Sequence, residues 1–319
     1  MITAYVRTNG TLTPVTVQLD EQLPDDAIWI DLLGPSREEE KLAERALAIA
    51  LPTREEMREI EISSRLYQEN GALFMTATLM TQADTLSPET EPVTFILVGH
   101  RLLTIRYANP QPFQLFALQV QRQPDSCLSG DSVLAGLLDA IVDRIADVLE
   151  KVQHDMNQVS RIIFARQHKT DFEEVLRSIG LAEGLTSRAR ESLVSIARLL
   201  SFLSRPAEGK PSKPFSRSLK TLSRDVLALS DHSSFLANNI TFMLNATLGM
   251  VNIEQTDIIK IFSVASVVFL PPTLIASIYG MNFSWMPERD WSFGYPISVI
   301  LMIVSGVLPY LYFKRRGWL

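Results

Sequence analysis

Residues 261–279 read Ile-Phe-Ser-Val-Ala-Ser-Val-Val-Phe-Leu-Pro-Pro-Thr-Leu-Ile-Ala-Ser-Ile-Tyr, and Gly280-Met281-Asn282 follow directly. The run carries no charge, and a second uncharged run extends from Phe293 to Phe313. About 20 apolar residues suffice to cross the hydrocarbon core of a bilayer as a helix. We therefore read two transmembrane helices, 258–279 and 293–313, joined by a short polar loop, 280–292, that opens on the Gly-Met-Asn tripeptide.

The first span carries a stripe. Thr256, Ile259, Ser263, Ser266, Leu270, Thr273 and Ser277 alternate at spacings of three and four, so they share one helix face. Hydroxyls on such a face serve helix packing in lipid, and they also suit the wall of a polar path. Two helices cannot enclose a pore, so the second reading requires an oligomer. Between Ile261 and Tyr279 there is neither a carboxylate nor a cationic side chain. Hydroxyls and amide carbonyls can hold an ion through its water shell without trapping it, and Mg²⁺ in particular gives up its waters reluctantly. Asn282 sits at the C-terminal end of the span, where free carbonyls and the negative end of the helix dipole favour a cation. Leu270, with Phe262 or Ile259 below it, would form apolar constrictions able to gate by dewetting. Pro271-Pro272 removes two helix hydrogen bonds and predicts a bend.

Upstream, Leu219, Leu222, Val226, Leu229, Ser233, Leu236, Ile240, Met243, Thr247 and Met250 continue at three and four. No proline interrupts the chain between Ser216 and Pro271. This spacing predicts one long helix whose seam packs either on copies of itself or on the preceding helices of the same chain; a shared axis into the membrane favours the copies. Two more helices are predicted before it. One spans about 131–166 on Val133, Leu137, Ile141, Ile145, Val148 and Val152; the other runs from a cap at Thr170 or Asp171 to about Leu203. Residues 205–214 hold three prolines and a glycine and read as a loop. Asp171, Glu173 and Glu174 make an acidic tip between the two helices, which is either solvated, or lies near Lys260, or gathers cations.

Residues 1–107 read as mixed α/β. Strands are predicted at Ile2–Thr8, Thr13–Leu19, Ala27–Leu33, Ala72–Thr81, Pro92–Val98 and Leu102–Tyr107. Helices are predicted from Ser36 to about Ala50 and from Thr53 onward. The fold class is thus an α+β domain, 1–130, followed by a helical hairpin, 131–214. A long helix then has a soluble part, 215–257, before the two C-terminal spans, and 314–319 form a basic tail.

The chain has 319 residues and a net charge of −6, with 32 acids against 25 bases in its first 251 residues. An acidic soluble part argues against nucleic acid as a partner and is compatible with cations, although most of these acids read as ordinary solubility charge. Cys127 is the only cysteine and the four histidines are scattered, so no Cys/His zinc site can be read from spacing. No phosphate-binding glycine loop, nucleophile elbow or nucleophile–base pair stands out, and neither an enzyme nor an organic cofactor is expected. Met1-Ile-Thr-Ala-Tyr-Val-Arg is not a signal peptide. Lys314-Arg315-Arg316 directly follow the second span, and basic flanks stay inside. Both termini are expected in the cytoplasm of a multi-pass plasma (inner) membrane protein, with 280–292 outside.

The chain resembles CorA-type magnesium transport proteins. The resemblance rests on Tyr279-Gly-Met-Asn-Phe283, Met286-Pro-Glu288, Trp291-Ser-Phe-Gly-Tyr-Pro296 and the ending Tyr312-Phe-Lys-Arg-Arg-Gly-Trp-Leu319. Asn252-Ile-Glu-Gln255 and Ile258-Ile-Lys-Ile-Phe-Ser263 also look like the family's. It implies a funnel-shaped homopentamer whose long helices line a pore. Gly280, Met281 and Asn282 would form the outer filter, with Asn282 contacting hydrated Mg²⁺ and Tyr279 supporting the loop; Leu270, Thr273 and Ile259 fall at pore-lining positions. It implies passive entry of Mg²⁺, with Co²⁺ or Ni²⁺ as further cargo, and gating by cytoplasmic Mg²⁺ held between subunits. Asp225 and Asp231 on the long helix, with Asp84 or Glu89 as partner, are the regulatory candidates, and a solvated face is the other reading of these acids. The family often has Asn where this chain has Thr256, which bears on an inner ion site. Two alternatives remain at this level: a proton-coupled Zn²⁺ transporter of related architecture, whose loop more often reads Gly-Val-Asn, and a non-conducting membrane-anchored coiled scaffold or sensor.

Overall fold

The computed structural model describes residues 1–8, 10–122, 129–165, 171–204, 212–282, 286 and 291–318. The chain divides into two units, Met1–Leu244 and Asn245–Leu319.

The first unit is built on one seven-stranded sheet. Its strands are β1 (Ile2–Thr8), β2 (Thr11–Val17), β3 (Ala27–Leu33), β4 (Leu66–Glu69), β5 (Ala72–Thr81), β6 (Glu89–Val98) and β7 (Arg101–Arg106), in the spatial order β2-β1-β3-β7-β6-β5-β4. Among the described strands only β3 and β7 pair in parallel, in the register Asp31↔Thr104; the other pairs are antiparallel. Alternation along the strands sends side chains to two cores. Ile30 and Leu32 join Ile2, Phe74, Ile96, Leu103 and Ile105 beneath Ala43 and Met57, which belong to the helices α1 (Arg37–Leu47) and α2 (Arg54–Met57). Trp29 faces the other way. It stacks on Tyr5 with ring centroids 4.1 Å apart and meets Phe116 edge-on at 5.9 Å. Phe116 lies on α4 (Gln111–Arg122). A helix thus covers each sheet face, the layered solution for a sheet buried on both sides.

Ser36 starts α1 as predicted, through a reciprocal capping box with Glu39. The helix stops at Leu47, before the expected Ala50, because Ala48 turns left-handed and its N–H closes on the Glu44 carbonyl. β2 is displaced from Thr13–Leu19 to Thr11–Val17, and it tolerates Pro14 because it is an edge strand. The middle strand of the β5–β6–β7 meander is longer than expected, since β6 begins at Glu89 instead of Pro92. Three elements were not predicted: α3 (Ile62–Arg65), β4 and α4.

Two long helices follow, α5 (Gly130–Phe164) and α6 (Phe172–Leu203). Asp171 caps α6, accepting from the N–H groups of Glu173 and Glu174 at 3.0 and 3.2 Å; Thr170 and the polar break before it lie outside the described residues. On α6, Ser195 Oγ accepts the Thr78 N–H of β5 at 2.9 Å, beyond the end of the β4 pairing. The last helix of the unit is the start of α7 (Lys213–Tyr279), 67 residues and about 100 Å long. Pro214 sits in its first turn, where a missing N–H costs nothing; of the expected loop, 205–211 are not among the described residues.

The seam along α7 corrects one expectation. Leu219, Leu222, Val226, Ser233, Leu236, Ile240 and Met243 are already buried within the single chain. Heptad spacing shows that a seam exists without showing which helix fills it, and here the chain's own helices do. The face left open instead carries Phe235 and Phe242, 60% and 56% exposed.

Candidate functional site

The second unit holds the end of α7 and α8 (Gly294–Arg315). Both helices are long and apolar enough to cross a membrane. α7 remains helical through Pro271 and Pro272, although neither can donate to the carbonyl four residues back. The orphaned Val268 carbonyl and the Pro272 ring lie against Gly306 of α8, where an added Cβ would stand 3.5 and 3.3 Å from them. Glycine permits this approach, as small residues do at helix contacts in lipid. Val264 is buried, and Val268, Pro271, Pro272 and Ile275 are half-buried, so the face of α7 toward α8 is defined by these positions.

The stripe lies on the other side. At about 100° per residue, Ser263, Ser266, Leu270, Thr273 and Ser277 point roughly opposite to Val264, Val268 and Ile275. All five, with Thr256, Ile259 and Phe262, are exposed in the single chain. Three of the hydroxyls donate to their own helix: Thr256 Oγ1 to the Asn252 carbonyl at 2.7 Å, Ser266 Oγ to Phe262 at 2.9 Å, and Thr273 Oγ1 to Phe269 at 2.7 Å. With the proton committed to the backbone, each oxygen presents only lone pairs outward.

The helix ends at the tripeptide. The N–H of Gly280 bonds to the Ala276 carbonyl at 2.9 Å and that of Met281 to Ile278 at 3.3 Å. A Cβ on residue 280 would stand 3.0 Å from the Ala276 carbonyl, so a side chain there would crowd the closure and make it give by a few tenths of an ångström. Tyr279, Gly280, Met281 and Asn282 line a cavity of about 360 Å³ together with Trp291 and Tyr295. Phe283, Pro287 and Glu288 of the motif, and Leu319 of the ending, lie outside the described residues. Lys260 pairs with Asp257 one turn earlier, at 2.8 Å.

The regulatory candidates are not gathered into one site within a chain. Among the described residues no group of three or more His, Cys, Asp or Glu side chains is placed to hold a metal. Asp84, 70% exposed, pairs with Arg144 at 2.7 Å. Glu89 opens β6 and accepts from Gln82 at 3.5 Å. Asp231 is exposed on α7. Asp225 lies near an acid that sequence reasoning missed, Asp139: burial, then the charges of Asp143 and Asp225, push the Asp139 carboxyl above its usual range. The spacing of Asp139 and Asp143, one turn apart on α5, was the available signal, but nothing in it pointed to α7.

Comparison with known proteins adds to this geometry. Residues 24–315 match the model of a CorA-like Mg²⁺ transporter protein family. The chain is 36% identical over 321 residues to the magnesium transport protein CorA of Escherichia coli K12, covering all of both proteins. It is 35% identical over 319 residues to that of Salmonella typhimurium, again over all of both. Among solved structures, the complete CorA magnesium transporter of Methanocaldococcus jannaschii aligns with a TM-score of 0.78 and 22% identity, over 100% of this chain and 99% of that one. A full-length CmaX structure shares the fold with a TM-score of 0.70 at 12% identity, over 100% and 98%. With an N-terminal α/β domain, long helices and two apolar C-terminal helices, the first ending on Gly-Met-Asn, the chain belongs to the CorA-like Mg²⁺ transporter family.

Proposed function

We propose that the protein is a homopentameric channel that admits hydrated Mg²⁺ to the cytoplasm, with Co²⁺ and Ni²⁺ as further cargo. The observation that carries this reading is the exposed stripe of α7, opposite the α8 contact and ending at Asn282. In the pentamer the five stripes face one another. The water shell of a divalent cation points its hydrogens outward, and the acceptor oxygens of Thr273, Ser266 and Thr256 meet them. Asn282, held by Gly280 and Met281 at the end of the helix, contributes an amide carbonyl to the outer filter, and Tyr279 backs it. Ser263 and Ser277 complete the polar positions. Leu270, Phe262 and Ile259, 65%, 70% and 57% exposed in the single chain, form the apolar rings at which the path closes. The exposed Phe235 and Phe242 supply apolar surface for assembly.

The driving force is the membrane potential, about 2.3 kcal/mol per charge per 100 mV and so about twice that for a divalent ion. Both termini lie in the cytoplasm of the inner membrane, as Lys314-Arg315-Arg316 beside α8 favour. Cytoplasmic Mg²⁺ closes the channel through carboxylates of neighbouring subunits, Asp225 and Asp231 from one and Asp84 or Glu89 from the next. Carboxylates are suitable oxygen ligands for Mg²⁺, and the surplus of acid around Asp225 is relieved by a cation. Protection of the protein from protease by Mg²⁺ should disappear in Asp225→Asn/Asp231→Asn; unchanged protection would remove these residues from the sensor.

Mg²⁺ flux into proteoliposomes under an imposed potential tests the reading. Wild type should conduct and Asn282→Ala should not, while still assembling. Zn²⁺ flux driven by a proton gradient would assign the protein to a different transport mode, and no flux of any ion through folded oligomers would leave a scaffold.

A further inference from the structure

The first unit contains a basic groove unrelated to the ion path. It lies where α6 crosses the free part of β5 and β6, and its volume is about 680 Å³, within the range of small-ligand sites, about 300–1,000 Å³. Four arginines line it, Arg58, Arg65, Arg190 and Arg198, against two acids, Glu91 and Glu191, in a chain of net charge −6. Both acids are engaged. Glu91 pairs with Arg58 at 3.5 Å, and Glu191 pairs with Arg188 at 3.5 Å while accepting from Thr90 at 3.2 Å. Arg65, Arg190 and Arg198 have no ion pair among the described residues. Arg190 and Arg198 lie on one face of α6 with Val194 between them.

Arg65 is the informative member. One guanidinium nitrogen donates to Thr78 Oγ1 at 3.0 Å and to the Met57 carbonyl at 3.4 Å. Its Nε is buried without a hydrogen-bond partner, which is costly for a charged donor. Burial lowers the affinity of this group for its proton, Glu191 offsets part of that, and the like charge of Arg198 lowers it again. An anion in the groove would relieve both the burial and the repulsion. Guanidinium forks match the oxygens of phosphate with paired hydrogen bonds. The rim is apolar: Ile60 is 91% exposed and Val194 41%.

We propose that this groove binds a small phosphoryl-bearing anion on Arg65, Arg190 and Arg198. Two sources share that chemistry, a plain polyphosphate and a nucleoside polyphosphate whose base would rest on Ile60 and Val194. The proposal is independent of what crosses the membrane.

The test is titration calorimetry on full-length protein in detergent, with chelator and without Mg²⁺, using pyrophosphate and ADP as probes. Wild type should bind both, and Arg190→Gln/Arg198→Gln should weaken binding by at least about tenfold, as expected from losing charge-assisted contacts. Both positions are exposed, so the variant should keep the melting temperature and oligomeric state of wild type. ADP binding more tightly than pyrophosphate, with the difference lost in Ile60→Ser, would identify the nucleoside source; equal affinities would identify the plain one. Absence of binding by wild type at millimolar probe would overturn the proposal, as would unchanged affinity in the double variant. Dissociation of the oligomer by Arg190→Gln/Arg198→Gln would also overturn it, because the groove would then serve a neighbouring subunit.

Discussion

Replacing Asp31 by Ala should destabilise the first unit far more than replacing any surface acid. Asp31 and Arg106 are 4% and 6% exposed. Arg106 Nη2 meets Asp31 Oδ2 at 2.7 Å, and its Nε reaches both carboxylate oxygens at 3.0 and 3.2 Å. Its remaining nitrogen, Nη1, donates to the Ala108 carbonyl at 3.1 Å and to Asn109 Oδ1 at 2.6 Å. Thr104 donates to Asp31 at 2.7 Å and accepts from the Trp29 indole at 2.9 Å. Removing the carboxylate leaves a charged guanidinium in the interior with two neutral partners, and breaking a buried pair in this way costs about 3–5 kcal/mol. For a unit of this size a change of 1 kcal/mol moves the midpoint by about 2–4 °C, so a loss on the order of 10 °C is expected. The assay is thermal unfolding in detergent, followed by near-ultraviolet circular dichroism. Removing both charges, in Asp31→Leu/Arg106→Met, should recover more than half of the loss, because it is the unpaired ion that is penalised. A drop in Asp31→Ala no larger than that in Asp84→Ala, whose exposed pair contributes about 0–1 kcal/mol, would refute the reasoning. So would a double variant as unstable as the single one.

Two further outcomes follow from single sites. Gly280→Ala would place a methyl 3.0 Å from the Ala276 carbonyl, forcing the filter to shift, and should reduce Mg²⁺ flux severalfold in protein that assembles normally; wild-type flux would mean that the closure is not needed. Asp139→Asn should stabilise the protein at pH 8 and not at pH 4. The folded carboxyl is raised by burial and by Asp143 and Asp225, so its penalty is absent below the usual Asp range, near 3.9. The penalty grows as pH rises through the raised value and is complete above it. Midpoints measured in chelator at the two pH values check this, and an equal gain at both would contradict the electrostatic cause.

The elements that sequence reading recovered are those whose signals are local. Ser36 with Glu39 is a self-contained cap, and the apolar runs at 261–279 and 293–313 need no partner to be read as spans. β4 escaped because Leu-Tyr-Gln-Glu has no pattern of its own and becomes a strand by pairing with β5. On α4, Phe113, Phe116 and Val120 do repeat at three and four, but Pro112 and the alternating glutamines obscure the period. The Leu219–Met243 seam was visible while its occupant was not, since spacing is blind to which helix lies opposite. Pro271-Pro272 reads as a bend within the span, and the helix does continue through it, with Gly306 of α8 packed against the carbonyl that Pro272 leaves unbonded. For the candidate site, the sequence supplied the stripe and the tripeptide; the direction of α8, which shows that the stripe faces away from its own chain, came only from tertiary packing. The Asp139–Asp225 approach and the arginine groove join residues far apart in the chain, and no local pattern marks them.

The most direct test compares Ser277→Cys with Ile278→Cys, each in a Cys127→Ser background. The two positions have almost the same depth and are both exposed in the single chain, but stand about 100° apart around α7. A cationic thiol reagent added outside should block Mg²⁺ flux through Ser277→Cys and leave Ile278→Cys conducting. Block at Ile278 with none at Ser277 would place the ion path on another face and contradict the account.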